Sequence, residues 1–156
     1  MLVRDAMTRD PASCTPDTLL VEVARLMVAH DCGALPVIRD DRERKPVGVV
    51  TDRDLVVRAL AEEHDLRAIT VTQVMSNSCV TILADAPIEE CCRVMEAYQV
   101  RRILVVDERG GLIGIVAQAD LASAASDEDL ATTVKEISQP SFATTGALAP
   151  MPPIQG

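Results

Sequence analysis

An internal repeat is the feature of this sequence that most constrains its fold. Residues 3–8 (VRDAMT) align with residues 71–76 (VTQVMS) at an offset of 68 positions. Residues 48–50 (GVV) align with residues 114–116 (GIV) at an offset of 66, because one loop is two residues shorter in the second copy. The matches keep the same order over about sixty residues, as expected for a duplicated structural unit. The sequence therefore predicts two similar folding units.

Each copy has the hydrophobic pattern of one strand, one helix, two further strands and a closing helix. In the first copy these elements are predicted at residues 12–15, 19–27, 34–38, 47–50 and 52–61. In the second copy they are predicted at residues 80–83, 88–98, 102–106, 112–116 and 118–125. Neither half, at about sixty residues, would bury its apolar strands well alone. The predicted fold class is therefore α+β (mixed α/β), with two β-α-β-β-α repeats packed about a pseudo-two-fold axis.

The repeat divides the chain into four segments. The first unit is predicted over residues 1–66 and the second over residues 67–126. Residues 127–138 carry apolar side chains at helical spacing, which predicts an amphipathic helix that packs on the pair or on a partner chain. Residues 139–156 are rich in Pro, Ala, Thr and Gly without periodicity, which predicts a flexible tail.

The composition disfavours several classes of function. A net charge of −9 repels a phosphate backbone, so we expect no nucleic-acid binding, although a local arginine can still attract a small phosphorylated ligand. With one Tyr, one Phe and no Trp, aliphatic side chains must hold any planar ligand. The sequence has no apolar run of about 18 residues, no signal peptide and no CxxC spacing. These absences predict a cytoplasmic protein with reduced thiols and no membrane association.

The stretch TDRD, residues 51–54, joins a predicted strand to the closing helix and allows two interpretations. Thr51 and Asp54 have the spacing of a capping box, in which each side chain accepts a backbone hydrogen bond at the helix start. In the functional interpretation the free N–H groups of the helix start and Arg53 attract a phosphate. A carboxylate can also accept hydrogen bonds from both hydroxyl groups of a ribose. The two interpretations use the same geometry.

The second copy offers a comparison between these interpretations. Ala117 replaces Thr51 there, but Asp120 keeps the place of Asp54. Because the reciprocal box has lost its hydroxyl, a pure capping role no longer requires Asp120 as a partner, although the helix dipole still favours an aspartate there. The comparison therefore favours a ribose role at both aspartates. The missing threonine and the missing counterpart of Arg53 weaken the second site.

The ordered features of both copies resemble the CBS domain pair, also called a Bateman module. The resemblance covers about residues 2–126 and rests on Met7, Met75, Asp17, Asp85, the strands GALPV and RRILV, and the two glycine-to-aspartate closures. It implies that an adenosine-containing ligand (AMP, ADP, ATP, NAD or S-adenosylmethionine) binds between the two units. Such a nucleotide would be a regulatory ligand and not an obligatory cofactor. The resemblance also implies regulation without catalysis, and a homodimer in the form of a flat four-CBS disk. It does not identify a client protein.

The resemblance assigns candidate ligand-binding residues as well. Thr51 and Asp54 match family positions that contact ribose and phosphate. Arg101 and Arg102 match positions whose basic side chains reach the phosphates. Strand alternation sends these two side chains to opposite faces, so we expect at most one arginine in the cleft. The other candidates are of two kinds. Gly33 and Ala34 are small and leave room for a flat base against Pro36. Ser13 and Thr81 match positions that line the adenine end.

Two alternatives to ligand sensing stay open. The first is a ligand-free oligomerisation or interaction module, in which TDRD is only a helix cap. The second is a redox- or metal-responsive regulator that works through Cys14, Cys32 or Cys79. His30 and Cys32 lack the third and fourth ligands that a zinc site requires, so no metal site is predicted. We do not expect an enzyme, because no P-loop, dinucleotide-binding motif or nucleophile with a base beside it is recognisable.

Overall fold

Except for the strand expected at residues 12–15, the two copies contain the predicted elements in the predicted order, which confirms the α+β fold class. The computed structural model describes residues 1–124, with side-chain surroundings up to residue 121. The first copy contains α1 (Val3–Ala6), β1 (Thr8–Arg9), α2 (Leu20–Ala29), β2 (Ala34–Ile38), β3 (Pro46–Thr51), α3 (Asp52–Asp54) and the π-helical segment Leu55–Leu60 that continues it. The second copy contains a 3₁₀ turn (Val71–Gln73), β4 (Thr81–Leu83), α4 (Ile88–Tyr98), β5 (Arg102–Val106), β6 (Leu112–Ala117) and α5 (Gln118–Ala124). The segments predicted at residues 127–138 and 139–156 lie outside the described residues.

The described strands form two sheets, and the repeat relates each sheet to the other. The larger sheet has the order β1-β6-β5-β4, and β2 and β3 form the smaller sheet. Strand β4 runs parallel to β5, and the other pairs are antiparallel. The first unit replaces two of the strand pairs by isolated bridges, Cys14 to Val37 and Val49 to Ser76. Each unit therefore keeps the same set of neighbours.

The strand predicted at residues 12–15 is reduced to the single bridge at Cys14. In the second unit the Leu104 N–H donates to the Val80 carbonyl at 3.1 Å and extends the parallel pairing. The counterpart of Leu104 in the repeat is Pro36, which has no N–H to donate. The missing donor explains why this prediction was wrong in the first copy, whereas β4 lies where it was expected.

The long helices pack through the apolar stripes that their spacing predicts. Helix α2 buries Leu20, Val23 and Met27 against the first sheet. Helix α4 uses Ile88, Cys91 and Met95 in the same way against the second sheet. Within residues 1–124, no helix has both the length and the apolar character needed to cross a membrane.

The opening segment of each copy packs into the core of the other copy. Val3 is fully buried in the second core, and its N–H donates to the Ala86 carbonyl at 2.9 Å. In the same way, Val71 is fully buried in the first core, and its N–H donates to the Thr18 carbonyl at 2.9 Å. A third cluster, around Leu104, joins the two sheets. Each core thus needs residues from both copies, so the two units depend on each other for stability.

Candidate ligand-binding cleft

A cavity of about 230 Å³ lies between the end of β3 in the first unit and the start of β5 in the second. Three valines form its apolar wall, and its polar lining consists of Thr51, Ser76, Ser78, Arg101 and Arg102. No acidic side chain lines it among the described residues. This cavity, which we call the arginine cleft, therefore has a positive charge in a protein whose net charge is negative.

Backbone pairing brings the walls of the arginine cleft together. Val49 and Ser76 exchange two backbone hydrogen bonds of 3.1 and 3.0 Å, which fixes the Ser76–Ser78 segment beside β3. On the opposite wall the Arg101 carbonyl accepts the Gln118 N–H at 3.0 Å. The cleft is thus built on paired strands, and its polar side chains extend from their ends.

Both arginines line the cleft, so the expectation that only one would do so was wrong. Strand β5 begins at Arg102, and Arg101 lies in the bend before it. Alternation of side chains holds within a strand but not across the bend that precedes one. Both side chains are exposed, and in the described part of the chain neither takes part in an ion pair. The cleft is therefore lined by two arginines that can attract an anion.

The capping interpretation of TDRD is confirmed. The Asp54 N–H donates to Thr51 Oγ1 at 3.2 Å, and the Thr51 N–H donates to Asp54 Oδ2 at 2.9 Å. The Thr51 hydroxyl also donates to Asp54 Oδ2 at 2.9 Å. Arg53 is exposed, and its N–H donates to Asp52 Oδ1. Neither Arg53 nor Asp54 lines the cleft, although Thr51 beside them does.

Arg58 connects this cap to the opening segment of the second copy. Its Nε lies 3.5 Å from Asp54 Oδ1, one helical turn earlier. Its Nη1 donates to the Val74 carbonyl at 2.9 Å, just before Ser76 enters the cleft wall. The cap, the closing helix and the serine wall of the cleft are thus joined through one side chain.

The second copy keeps half of the capping box. The Ala117 N–H donates to Asp120 Oδ2 at 2.7 Å, so the aspartate caps the helix without a threonine hydroxyl. Asp120 therefore still acts as a box partner, contrary to the prediction from the sequence, because this hydrogen bond requires only a backbone N–H at position 117. The retained aspartate does not distinguish a ribose role from a cap.

The remaining candidate residues are not among the described residues that line the arginine cleft, although Ala34 pairs with Thr51 across the first sheet. Ser13 lines a separate, open cavity of about 580 Å³ beside α2. Ala34 and Pro36 are buried within β2, and Thr81 is exposed on β4. The Gly33 carbonyl accepts the Asp52 N–H at 3.0 Å, next to a carboxylate that occupies the space a side chain would need.

Sequence reasoning missed Ser76 and Ser78. One signal was available, since both copies place a hydroxyl residue directly after the opening methionine, Thr8 in the first and Ser76 in the second. That pattern indicates a shared position in the repeat. The place of Ser76 in the cleft depends on its bridge to Val49, which is a contact between the two copies.

The thiols and metal-ligating groups do not form a second site among the described residues. Among the described residues, no disulfide joins Cys14, Cys32, Cys79, Cys91 or Cys92. Burial raises the pKa of Cys14 to about 12, and burial followed by the neighbouring Cys92 raises the pKa of Cys91 to about 12. Burial also raises the pKa of Cys79. The reactive thiolate is scarce at these positions, and within residues 1–124 no three His, Cys, Asp or Glu side chains are placed to hold a metal ion.

The family follows from direct comparison with known proteins. The CBS domain family matches residues 3–60 and 71–127. The chain belongs to the CBS domain family. Over 137 residues it is 36% identical to hypoxic response protein 1 of Mycobacterium tuberculosis, which covers 88% of this chain and 94% of that protein. Relatives that carry enzyme names match over only 22% and 24% of their own lengths, so the similarity covers a small part of those proteins.

Solved structures share the fold of the pair. The crystal structure of hypoxic response protein I, with two coordinated zinc ions, is 35% identical with a TM-score of 0.70, over 81% of this chain and 100% of that chain. The CBS pair of protein MJ0100, in complex with 5′-methylthioadenosine and S-adenosyl-L-methionine, is 26% identical with a TM-score of 0.70, over 80% and 98%. CBSX2 in complex with AMP is 28% identical with a TM-score of 0.65, over 86% and 98%. The chain is therefore a CBS pair, a regulatory type of module.

Proposed function

We propose that this CBS pair is a cytoplasmic regulator that binds an adenosine-containing ligand in the arginine cleft. The observation that carries the proposal is a cavity of about 230 Å³ lined by Thr51 and by Arg101 and Arg102, two arginines that form no ion pair within the described residues. Two similar structures, those of MJ0100 and CBSX2, hold adenosine compounds, which supports the choice of ligand class. The nucleotide acts as a regulatory ligand and not as an obligatory cofactor.

The side chains of the cleft suit the parts of a nucleotide. Guanidinium groups bind phosphate through charge-assisted, often bidentate hydrogen bonds, and the hydroxyls of Ser76 and Ser78 add neutral donors. The three valines supply an apolar surface for the base. Beside the cleft, Asp54 keeps Oδ1 outside the capping box, where a ribose hydroxyl can compete with Arg58 for it.

The size of the cleft favours partial enclosure of the ligand. Cavities that bury most of a drug-sized ligand measure roughly 300–1,000 Å³, and this one is slightly smaller. A bound nucleotide would therefore leave part of its surface exposed. We propose that a second chain covers this part, in the homodimeric four-CBS disk.

A thermal-shift panel tests the proposed function. We expect adenosine nucleotides at a hundredfold their dissociation constant to add about 2.7 kcal/mol to stability, which corresponds to roughly 5–10 °C for a chain of this size. The panel includes AMP, ADP, ATP, NAD, S-adenosylmethionine and adenosine. Arg102→Ala will reduce the shift for the phosphorylated ligands, whereas Arg109→Ala, an exposed arginine in the β5–β6 turn, will retain it.

The alternative function is a ligand-free association module. The complete capping box explains Thr51 and Asp54 without a ligand, and the π-helical segment exposes Val56, Val57 and Leu60. In that case no compound of the panel will raise the unfolding temperature. Asp54→Asn will still cost about 1 kcal/mol, because it weakens the cap.

A further inference from the structure

The duplication gives the arginine cleft a counterpart on the other side of the pseudo-two-fold axis. The pairing of Thr8 with Ile115 repeats the bridge of Ser76 with Val49, so both clefts are built by the same contact. By the repeat, the position equivalent to the arginine cleft lies between the end of β6 and the start of β2, and we call it the counterpart cleft. Its residues follow from the repeat, position by position, and their chemistry can be compared with that of the arginine cleft.

The counterpart cleft has lost the cationic groups. Gly33 and Ala34 stand in the places of Arg101 and Arg102, and Ala117 stands in the place of Thr51. Both small residues occupy the same structural positions as the arginines, because Ala34 pairs with Thr51 as Arg102 pairs with Ala117. The difference between the clefts therefore lies in the side chains and not in the backbone.

The residue whose N–H group is hydrogen-bonded at the start of β5 or β2 also differs in charge between the two clefts. Gln118, which donates its N–H to the Arg101 carbonyl, is neutral. Its counterpart Asp52 donates in the same way to the Gly33 carbonyl. A Cβ atom added to Gly33 would lie 2.7 Å from Asp52 Oδ2, so the carboxylate sits directly against the strand start. An anion in the counterpart cleft would meet this negative charge where the arginine cleft offers two positive ones.

A second acidic residue in the counterpart cleft is already neutralised. Asp10 takes the place of Ser78 in the repeat, and its Oδ1 lies 3.2 Å from Arg44 Nη2. This ion pair removes Asp10 from the comparison. At the two strand starts and the residues hydrogen-bonded to them, the charged side chains without an ion pair among the described residues are Arg101 and Arg102 beside one cleft and Asp52 beside the other.

We infer that the phosphates of the ligand bind in the arginine cleft alone, and that each chain takes one phosphorylated ligand. The inference rests on the proposed function and adds a stoichiometry and a selectivity to it. Adenosine without phosphates lacks the charge that Asp52 opposes, so the restriction applies to phosphorylated ligands.

Isothermal titration calorimetry of the full chain with ADP, and in parallel with adenosine, tests this inference. We expect one ADP per chain. Arg101→Ala with Arg102→Ala will weaken ADP binding at least tenfold, since two charge-assisted contacts are lost, and will change adenosine binding less than threefold. The matched control, Arg39→Ala with Arg109→Ala, removes the same charge from exposed positions outside the cleft and will leave ADP binding unchanged.

The possible outcomes separate the inference from the proposed function. Two ADP molecules per chain, or one whose affinity is the same in the cleft variant and the control variant, would overturn the inference and leave nucleotide binding intact. Binding of neither ADP nor adenosine would overturn the proposed function itself. All four arginines are exposed, and circular dichroism will verify that both double variants remain folded. Arg101→Gln with Arg102→Gln replaces the cleft variant if alanine disturbs the fold.

Discussion

Val3→Asp will lower the thermal unfolding midpoint by roughly 10 °C, although the residue lies at the start of the chain. Val3 has no exposed surface and packs with Ile82, Ile88 and Met95 in the second core. An uncompensated charge in such a position costs about 3–5 kcal/mol, and each kcal/mol corresponds to roughly 2–4 °C in a chain of this size. Differential scanning calorimetry of the variant and the wild type will measure the change.

Met1→Asp is the matched control for this variant. Met1 lies two residues earlier and is 60% exposed, so the same charge there meets water. We expect its unfolding midpoint to stay within about 1–2 °C of the wild type, since surface substitutions are usually nearly neutral. If Val3→Asp were as stable as Met1→Asp, the first residues would not belong to the second core, and the exchange of opening segments would be wrong.

Gly48→Ala will destabilise the protein by about 1–3 kcal/mol, which is more than the equivalent change Gly114→Ala. A Cβ atom at Gly48 would lie 2.6 Å from the Ser76 carbonyl oxygen, a backbone atom held by its pairing with Val49. A Cβ atom at Gly114 would overlap Met7 Sδ, near the end of a flexible side chain that can move. The loss of unfolded-state entropy favours alanine by about 0.4–1 kcal/mol at both sites, so it cancels most of the smaller penalty.

Urea unfolding of the two variants will compare these costs directly. Gly48→Ala will also weaken ligand binding, because the Ser76 segment that must shift forms one wall of the arginine cleft. Gly114→Ala changes the counterpart cleft and will leave ADP binding unchanged. If Gly114→Ala lowered the free energy of unfolding as much as Gly48→Ala, or more, then the backbone contact at Gly48 would not be the tighter of the two.

The sequence predicted the elements of the fold because its local signals agree with one another. Strands β2 and β5 lie at the predicted residues, since each is an apolar run bounded by polar residues. The spacing of Thr51 and Asp54 predicted the capping box in the same way. The strand predicted at residues 12–15 failed for a reason outside its own sequence, because Pro36 removes a donor on the facing strand.

The site was less predictable, because it depends on how the copies are joined. The repeat shows that the two units are alike, but it does not show that Val3 packs in the second core or Val71 in the first. The bridge between Val49 and Ser76 results from this exchange, and it brings the serines to the cleft. Arg101 lies in the bend before β5, where the alternation of side chains along a strand does not predict which way a side chain points.

Nuclear magnetic resonance titration of the ¹⁵N-labelled protein with ADP most directly tests the central claim, that a phosphorylated ligand binds in the arginine cleft and not in the counterpart cleft. We predict that the largest amide shifts will cluster at Thr51, Ser76, Ser78, Arg101 and Arg102, while the counterparts Thr8, Asp10, Gly33, Ala34 and Ala117 shift little. Comparable shifts in both groups, or shifts only in the second group, would contradict the claim.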